Sequence, residues 1–379
     1  MTSSSSTKIL VTGSNGFIGK NLIFQAKERL NFEIDTFTRK NSDKTLKEKL
    51  LKADFLIHLA GENRPETDDQ FQIVNVGLTK KISEILLQYS HQIPIVFTSS
   101  SQAEISNEYG KSKLAAENIL QNLAIENGNP INIYRLPGVF GKWCLPNYNS
   151  VVATFCYNIA NNLTIKINDE QKIIRLVYID DVINSIFEVI LNNKEGTNFH
   201  NIDNEYEITL GKLANKIEAF KYSRQSLIID KVGTGLTRAL YSTYLSYLSV
   251  DDFSYSVDSH KDDRGNFVEM LKTKDSGQIS YFTAHPGITR GGHYHHTKSE
   301  KFLVLKGNAK FSFRNIITNE IYTIKTTGDD PRIVETVPGW SHDIKNIGKD
   351  EMIVMLWANE QFNKDLPDTF NYEVINEKT

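Results

Sequence analysis

The chain has 379 residues, of which 40% are hydrophobic and 23% are charged, and its formal net charge is −3. This length favours two domains, and the near-neutral charge excludes the extended basic surface that a nucleic-acid partner requires. No stretch approaches 18 uncharged apolar residues, so the sequence also excludes a membrane-spanning helix.

The first residues, MTSSSST, contain neither the basic nor the apolar region of a secretory signal. Cys144 and Cys156 are the two cysteines of the sequence, too few for a disulfide scaffold. We therefore expect a protein of the reducing cytoplasm.

From Lys8 to about Leu210, short apolar runs alternate with longer helical patterns. The runs KILVTG, FEIDTF, ADFLIHLAG, IPIVFTSS and INIYRLPGVFG are separated by segments such as NLIFQAKERL and KLAAENILQNLA. This alternation is typical of parallel strands joined by helical crossovers. We predict an α/β fold with a doubly wound parallel sheet.

The first turn of this region is rich in glycine. Gly13, Gly16 and Gly19, in VTGSNGFIG, follow a predicted buried strand and open an amphipathic helix. Glycines at these positions allow a tight turn and the close approach of a pyrophosphate to the helix N-terminus. The sequence therefore predicts a dinucleotide site here.

Tyr109 and Lys113, in YGKSK, are four residues apart on a predicted helix and so share one face. An ammonium group beside a phenol lowers the pKa of the phenol. A phenol adjusted in this way can donate a proton to a carbonyl oxygen as a hydride arrives. The pair predicts a ketone-reducing site, although the pattern taken alone also occurs by chance.

The glycine spacing, HLAG at residues 58–61, the serine run 99–101 and YGKSK occur in an order that resembles the extended short-chain dehydrogenase/reductase family. The resemblance covers about the first 240 residues and implies a Rossmann fold, a nicotinamide cofactor and a nucleotide-sugar substrate. It implies that Ser100 bonds to the substrate carbonyl, with Ser99 and Ser101 as alternatives. Further cofactor contacts implied are Phe17, Ile18, Leu59, Ala60 and Gly61.

The residues after the second predicted strand bear on the choice of nicotinamide. NAD enzymes carry an acidic residue about 20 residues past the glycines, whereas this chain reads TFTRKN, with Arg39 and Lys40. Two cations suit the 2′-phosphate of NADPH, which we predict. Asp35, earlier and within the predicted strand, keeps NADH as an alternative, and Arg39 could instead be a solvated surface charge.

Two later segments, RLPGVFG and RLVYIDDV, also resemble the extended family, in which residues nearby shape the nucleotide-sugar site. Arg175 is the predicted diphosphate contact because a guanidinium pairs well with phosphate oxygens. Asn149, in PNYNS, is a further candidate for substrate binding. Either residue could instead be structural.

Beyond Ala239 the pattern changes. After Asp251, short β-type runs such as EKFLVLKG and MIVMLWANE are broken by Gly, Asn, Asp or Pro. We predict a small antiparallel β-barrel from about Asp252 to Tyr372. The predicted domain limits are 1–250 and 251–379.

The segment GGHYHHTKSEKFLVLKG, which starts at residue 291, is rich in possible metal ligands. His293 and His295 are two residues apart, so on a strand both side chains project from one face while His296 faces the other way. With Glu300 and with His342 on a later strand they form a mixed nitrogen and oxygen set that suits Zn²⁺, Mn²⁺, Fe²⁺ or Ni²⁺. These four residues are the predicted metal ligands.

This pattern matches the first motif of the cupin superfamily in full and most of the second. Arg332 departs from the second motif, because a glycine is expected six residues before the proline of VPGW. DDRGNFVE resembles the D-x-R-G-x-F-x-E segment of sugar-nucleotide 3,5-epimerases built on the same barrel, which implies a substrate contact for Arg264. Those epimerases generally work without a metal, so the histidine set is a departure from them.

The chain is similar from end to end, including GKWCLPNYNSV and YSTYLSYL, to the CapF-like capsular polysaccharide synthesis enzymes. The similarity implies a UDP-linked 2-acetamido-2,6-dideoxy-4-hexulose as substrate. In the resulting hypothesis, the cupin domain first inverts C3 with a divalent metal, zinc being the first choice. The N-terminal domain then reduces the C4 ketone with NADPH and Tyr109, giving a UDP-N-acetyl-6-deoxy-talosamine on the way to UDP-N-acetylfucosamine. We expect a homodimer or a higher homo-oligomer.

The sequence leaves the C3 base open. His296 and Lys298 are candidates, but strand alternation argues against His296, and Lys298 could be a surface residue. The cupin domain could instead be only a metal-stabilised dimerisation or binding module beside a plain reductase, or an Fe²⁺ oxygenase. A sugar sensor without catalysis is disfavoured because Tyr109 and Lys113 are both present.

Overall fold

The structure, a computed structural model, describes residues 6–29, 32–67, 69–257, 259–262, 265–268, 271–273, 277–360 and 365–374. At residues 29, 259–262, 265–268, 272–273, 278 and 280 it describes the backbone alone. The chain divides into two compact units, Met1–Ser150 with Ile174–Glu207, and Val151–Ile173 with Ile208–Thr379. Segments 151–173 and 208–250 thus group with the later residues; the limits 1–250 and 251–379 stay a prediction.

The helices of the described chain are α1 (Phe17–Arg29), α2 (Asp43–Leu50), α3 (Asp69–Phe71), α4 (Gly77–Gln88), α5 (Glu108–Asn127), α6 (Val151–Ala160), α7 (Ile179–Leu191), α8 (Leu210–Ser226) and α9 (Gly235–Leu245). A π-helical turn, Gln72–Val76, joins α3 to α4, and 3₁₀ turns occur at Ser101–Glu104 and Val250–Phe253.

The strands of the earlier part are β1 (Thr7–Thr12), β2 (Phe32–Phe37), β3 (Phe55–His58), β4 (Ile95–Ser100), β5 (Ile131–Leu136), β6 (Gly138–Phe140), β7 (Ile173–Tyr178), β8 (Thr197–His200), β9 (Glu205–Thr209) and β10 (Ile228–Ile229). The later strands are β11 (Ser254–Ser256), β12 (Ser259–Asp262), β13 (Gly265–Val268), β14 (Lys272–Thr273), β15 (Gln278–Ala284), β16 (Thr289–Tyr294), β17 (Glu300–Lys306), β18 (Asn308–Asn315), β19 (Ile321–Thr327), β20 (Arg332–Glu335), β21 (Trp340–Asn346), β22 (Met352–Ala358) and β23 (Phe370–Asn371).

The first unit is built on a parallel sheet with the strand order β2-β1-β3-β4-β5-β8. Strands β3 and β4 are buried along their whole length, as expected for central strands covered by helices on both faces. Because β2 and β3 lie on opposite sides of β1, the order reverses there, and ligands of doubly wound sheets bind beyond the carboxyl ends of strands at such a point. The glycine-rich turn directly follows β1.

Helix α5 carries Tyr109 and Lys113, and its ends follow from the sequence. The side chain of Asn107 accepts a hydrogen bond from the N–H of Gly110 at 2.7 Å and so caps the N-terminus. Gly128 ends the helix with a left-handed φ of 80°. The tight 3₁₀ turn after β4 leads into this helix, so the serine run at the end of β4 lies near the start of α5.

The second unit contains two antiparallel sheets, with the strand orders β11-β20-β17-β22-β15 and β19-β18-β21-β16-β23. They pack against each other, since the rings of Phe302 on β17 and Phe311 on β18 have centroids 5.6 Å apart. Helices α6, α8 and α9 belong to the same unit, and the Ser242 hydroxyl on α9 donates to the Thr297 carbonyl at 2.8 Å. The predicted fold class, a doubly wound parallel sheet followed by an antiparallel β-domain, is confirmed.

The described helices include none that combines the length and the apolar character needed to cross a membrane.

Candidate active site and candidate metal centre

The glycine-rich turn packs closely against the segment that follows β3. Gly13 has a left-handed φ of 70°, and a Cβ atom there would lie 2.6 Å from the main-chain nitrogen of Ala60, so this position requires glycine. Gly16 lies in the turn, and α1 begins with the segment 17–19. The turn thus brings the predicted cofactor residues 13–19 and 59–61 together at the N-terminus of a helix, where anions bind favourably.

Buried hydrogen bonds connect the end of β1, just before this turn, to β3 and α4. The Thr12 hydroxyl lies 2.7 Å from Nδ1 of His58, and Nε2 of His58 lies 3.0 Å from the Thr79 hydroxyl. Burial, with the nearby charge of Lys113, lowers the pKa of His58 to about 3. This histidine is therefore neutral near pH 7 and acts as a structural bridge between β1, β3 and α4.

Ser100, Tyr109 and Lys113 come together at the carboxyl end of β4. The Ser100 side chain hydrogen-bonds to the Tyr109 phenol, and the Lys113 ammonium donates to the main-chain carbonyl of Thr98 at 3.0 Å. In the same run, the Ser99 hydroxyl is bonded to the carboxylate of Glu117. Among the three serines, the structure therefore places Ser100 at the phenol, and its catalytic role stays a prediction.

The electrostatics of this group differ from the expectation. Burial raises the pKa of Tyr109 more than the hydrogen bond with Ser100 lowers it. Lys113 is itself buried, and desolvation lowers its pKa to about 8 although Glu117 opposes the shift. The net shift of the Tyr109 pKa in the ligand-free protein is therefore upward, because burial outweighs the hydrogen bond, and the lowering of this pKa by Lys113 stays a prediction.

Asn75 is a site residue that the sequence reasoning missed. It lies in the π-helical turn, and its Oδ1 accepts from the N–H of Glu62 at 2.7 Å while Nδ2 donates to Oγ of Ser112 at 2.9 Å. A Cβ atom at Gly61 would lie 3.1 Å from both Oδ1 of Asn75 and Nζ of Lys113. Asn75 thus ties the segment after β3 to the helix of Lys113, and the π turn that directs its side chain has no periodic sequence signal.

Arg39, which follows β2, forms an ion pair with Glu62, which follows β3. Nη2 of Arg39 lies 2.8 Å from Oε2 of Glu62, and the Tyr148 phenol donates to Oε1 of Glu62 at 3.0 Å. The Arg39 side chain is 80% exposed, and Lys40 is also exposed. Asp35 lies on β2, as predicted, and is bonded to the ammonium of Lys49. Asp35 and Arg39 are thus both ion-paired and both exposed to solvent, and the choice between NADPH and NADH stays a prediction.

The remaining predicted substrate contacts are more scattered. Arg175 lies on β7, bonds to the carboxylate of Glu205, and lines a cavity of about 320 Å³ that also contains Ser101 and Arg135. Asn149 is exposed in the loop before α6. Arg264 lies outside the described residues. The roles of all three stay predictions.

The predicted metal ligands come together in the second unit. One ligand atom from each of His293, His295, Glu300 and His342 lies within 4.8 Å of the others. His293 on β16 is paired directly with His342 on β21, after an irregularity in the register that re-aims the end of β16. Glu300 is the first residue of β17 in the other sheet. The cluster therefore lies between the two sheets.

The charges of this cluster suit a cation. Burial lowers the pKa of His293 to about 3, helped by His342 and His295, and burial also lowers the pKa of His342. Burial raises the pKa of Glu300, but the neighbouring His295 and His342 outweigh it and hold the pKa well below the usual value. Burial lowers the pKa of His295 too, but its contact with Glu300 outweighs burial and the net shift is upward. Neutral imidazoles and an ionised carboxylate are the forms that bind a divalent metal, so the shifts at His293, His342 and Glu300 favour a cation, whereas His295 must release a proton to bind one.

The buried side chain of His342 also indicates a metal site. Within the described part of the chain, neither ring nitrogen of His342 has a hydrogen-bond partner, and Nε2 lies 3.4 Å from Oε2 of Glu300 outside hydrogen-bond geometry. A buried ring nitrogen without a hydrogen-bond partner is costly, and a metal ion in the cluster would satisfy the nitrogen of His342 that binds it. The residues present therefore fit a divalent ion.

Two other polar residues of this segment take different positions. Lys298 is not a surface residue: its side chain is 13% exposed, and Nζ lies 2.9 Å from Oε1 of Glu300. His296 lies outside the cluster, as predicted, with its ring 5.0 Å from that of Phe370. Glu300 thus directs Oε1 to a lysine and Oε2 to the histidines.

Comparisons with known proteins cover both units. Residues 9–203 match the model described as NAD dependent epimerase/dehydratase family, and residues 260–370 match the Polysaccharide biosynthesis C-terminal domain. The chain is 54% identical over 363 residues to a UDP-2-acetamido-2,6-beta-L-arabino-hexul-4-ose reductase of Pseudomonas aeruginosa, covering 96% of this chain and 98% of that protein.

Solved structures agree. The capsular polysaccharide assembling protein CapF from Staphylococcus aureus is 41% identical with a TM-score of 0.66, covering 96% of this chain and 99% of that one. CapF with the inhibitor 3-isopropenyl-tropolone is 37% identical with a TM-score of 0.62, covering 97% and 100%. The similarity therefore extends over both units.

Proposed function

Because this chain belongs to the NAD dependent epimerase/dehydratase family and, within it, to the CapF-like enzymes, we propose that it is a bifunctional nucleotide-sugar enzyme. Its substrate is a UDP-2-acetamido-2,6-dideoxy-4-hexulose, which is epimerised at C3 in the β-rich domain and then reduced at C4 with NADPH. The product is a UDP-N-acetyl-6-deoxy-talosamine, a step towards UDP-N-acetylfucosamine and capsule or O-antigen synthesis. The proposal rests on one observation, that a single chain contains two candidate sites. The group of Ser100, Tyr109 and Lys113 suits the reduction of a ketone. The cluster of four candidate ligands suits a divalent metal ion.

In the reduction, Tyr109 donates its phenolic proton to the C4 oxygen of the sugar, and Ser100 holds that oxygen by a hydrogen bond. Lys113 stays protonated near pH 7, since its pKa is about 8, and so stabilises the phenolate that remains. NADPH, when bound, supplies the hydride to C4. The glycine turn and the N-terminus of α1 would hold its pyrophosphate, and Arg39 and Lys40 would bind its 2′-phosphate.

In the epimerisation, a divalent ion held by His293, His295, Glu300 and His342, with zinc as the first candidate, would polarise the C4 ketone and so acidify the hydrogen on C3. Lys298 binds Oε1 of Glu300 and leaves Oε2 directed at the histidines. The order of the steps follows from the chemistry, because reduction removes the ketone on which the exchange at C3 depends. Reduction therefore fixes the new stereocentre.

Deuterium uptake tests this proposal. The UDP-linked 4-keto sugar is incubated in D₂O with the full chain, without any nicotinamide, and label at C3 is measured by NMR. We expect uptake by the zinc-loaded native chain and by His285→Ala, a control at an exposed histidine of the same unit, and none by His293→Ala. No uptake by the native chain, with NADPH oxidation intact, would overturn the epimerase step.

The relative that is 54% identical is named as a reductase alone, and this observation favours a second candidate. In that case the chain is a nucleotide-sugar 4-ketoreductase whose β-rich domain is only a metal-stabilised dimerisation or binding module. His293→Ala would then change the oligomeric state or the melting temperature, while the native chain would exchange no deuterium at C3.

A further inference from the structure

The turn that carries His295 is held by a distant acidic residue, Asp368. Residues 295–299 lie between β16 and β17, outside any strand ladder, so their N–H groups need other acceptors. Oδ1 of Asp368 accepts from the N–H of His296 at 2.9 Å, and Oδ2 accepts from the N–H groups of Thr297 and Lys298, each at 2.7 Å. The Thr297 hydroxyl also donates to Oδ2, at 3.0 Å. One carboxylate thus satisfies three consecutive N–H groups.

The main chain of Asp368 acts on the histidine itself. Nδ1 of His295 is bonded to the carbonyl oxygen of Asp368. A carbonyl oxygen can only accept, so Nδ1 carries the hydrogen in this contact. Nε2 is therefore the nitrogen directed into the cluster, where it lies 3.2 Å from Oε2 of Glu300.

The segment around Asp368 is anchored close to the cluster on its other side as well. Strand β23, which starts two residues later, pairs with β16 so that Asn371 is opposite His293. The N–H of Tyr372 donates to the carbonyl of Gly292 at 2.8 Å. Residues 368–372 therefore follow the strand and turn that supply two of the four ligands.

We propose that Asp368 is a positioning residue of the metal centre: its carbonyl oxygen fixes the tautomer and the direction of His295, and its carboxylate fixes the turn that holds this histidine. The inference rests on the proposed metal site and adds a residue that touches neither the metal nor the substrate. Partners of this kind orient metal-binding histidines, and their loss weakens metal binding about 10- to 100-fold.

The test compares zinc affinity in the full-length chain by competition with a chromogenic chelator. Asp368→Asn replaces one acceptor oxygen with an NH₂ group, which cannot accept from the turn. We expect zinc to bind about 10- to 100-fold more weakly, with NADPH binding unchanged. Asp329→Asn, at an exposed aspartate of the same unit, should bind zinc like the native chain.

Affinity within twofold of the native value in Asp368→Asn would overturn the inference, even if the melting temperature falls, because a merely structural role predicts that result. If the native chain binds no zinc, the proposed metal site fails as well. A second measurement needs no variant: histidine-selective ¹⁵N labelling of the zinc-loaded native chain should show His295 with a hydrogen on Nδ1. The opposite tautomer would also overturn the inference.

Discussion

The two units bury a lysine in opposite ways. Lys113, beside the Tyr109 phenol, donates to a main-chain carbonyl, and burial lowers its pKa to about 8. Lys301, on the strand that begins with Glu300, bonds to the buried carboxylate of Glu335 and, at 2.8 Å, to the Tyr255 phenol. Burial lowers the pKa of Lys301, but Glu335 outweighs it and the net shift is upward.

This difference distinguishes a residue that can take part in proton transfer from a residue that builds a framework. Where burial outweighs a nearby carboxylate, as it does for Lys113 and Glu117, the pKa of the ammonium falls to about 8, so the group stays mostly protonated at pH 7 but titrates close to the pH at which protons are transferred. A buried ammonium paired with a carboxylate keeps its proton and fixes the strands that carry both charges. Burial alone therefore does not identify a functional lysine; the partner does.

The largest expected effect tests the buried group of the first unit, in which Lys113 lies beside the Tyr109 phenol. Tyr109→Phe removes the proton donor and should lower the C4 reduction rate about 10²- to 10⁴-fold. Deuterium exchange at C3 should be unchanged, because the exchange depends on the other unit. Tyr89→Phe, at an exposed tyrosine, is the matched control, and NADPH oxidation at saturating substrate is the measurement. If Tyr109→Phe oxidised NADPH at the native rate, Tyr109 would not be the proton donor.

The second prediction concerns the framework lysine. Lys301→Met leaves the buried carboxylate of Glu335 with Arg224 at 3.2 Å and the Tyr241 hydroxyl at 3.4 Å, and should cost up to about 3–5 kcal/mol in the free energy of unfolding. The double variant Lys301→Met/Glu335→Leu should recover part of this loss, because the Lys301–Glu335 pair is then removed as a whole, while Arg224 loses its carboxylate partner. Urea unfolding of the metal-free chain, followed in the second unit, gives both values. A double variant no better than the single one would contradict the pairing.

The third prediction uses pH. The pKa of Lys113 is about 8 in the folded chain against an ordinary lysine pKa of 10.5, so between these pH values the unfolded state binds more protons and stability rises with pH. Relative to Lys113→Met, the native chain should therefore gain up to about 3 kcal/mol between pH 8 and pH 10.5, at about 1.4 kcal/mol per pKa unit. Chemical unfolding of both chains across this range measures the gain, and a constant difference would show that Lys113 keeps its ordinary pKa.

The smallest expected effect concerns Arg39, whose side chain is exposed to solvent but forms an ion pair with Glu62. A charge-assisted bond to the 2′-phosphate contributes about 1.5–3 kcal/mol, so Arg39→Ala should raise the KM for NADPH about 10- to 100-fold. The KM for NADH should barely change, because NADH lacks this phosphate. Lys52→Ala, at another exposed cation, serves as the control. If the KM values for NADPH and NADH rose by the same factor, Arg39 would instead be a structural partner of Glu62.

Local spacing allowed much of both sites to be predicted. The fold class follows from the alternation of buried runs and helices in the first 210 residues and from the short β-type runs after residue 251. The shared face of Tyr109 and Lys113 follows from the helical repeat. The strand predicted to carry both His293 and His295 ends at Tyr294, so His295 joins the cluster from the turn after β16 and strand alternation does not explain its position.

The features that escaped prediction depend on contacts between distant residues. Asn75 acts through a π turn and Asp368 through a contact across 73 residues, and no periodicity indicates either one. The direction of the Tyr109 pKa depends on how deeply the folded chain buries the phenol, and its sequence neighbours do not determine that.

The support that Asp368 gives to His295 has a consequence for the order in which the molecule forms. Synthesis proceeds from the N-terminus, and domains fold as they emerge. When His342 has been made, all four candidate ligands exist, but the acceptors for three consecutive N–H groups of the histidine turn do not. The parallel sheet and its glycine turn can be complete at that time, whereas the geometry of the metal centre must wait for one of the last segments of the β-rich unit.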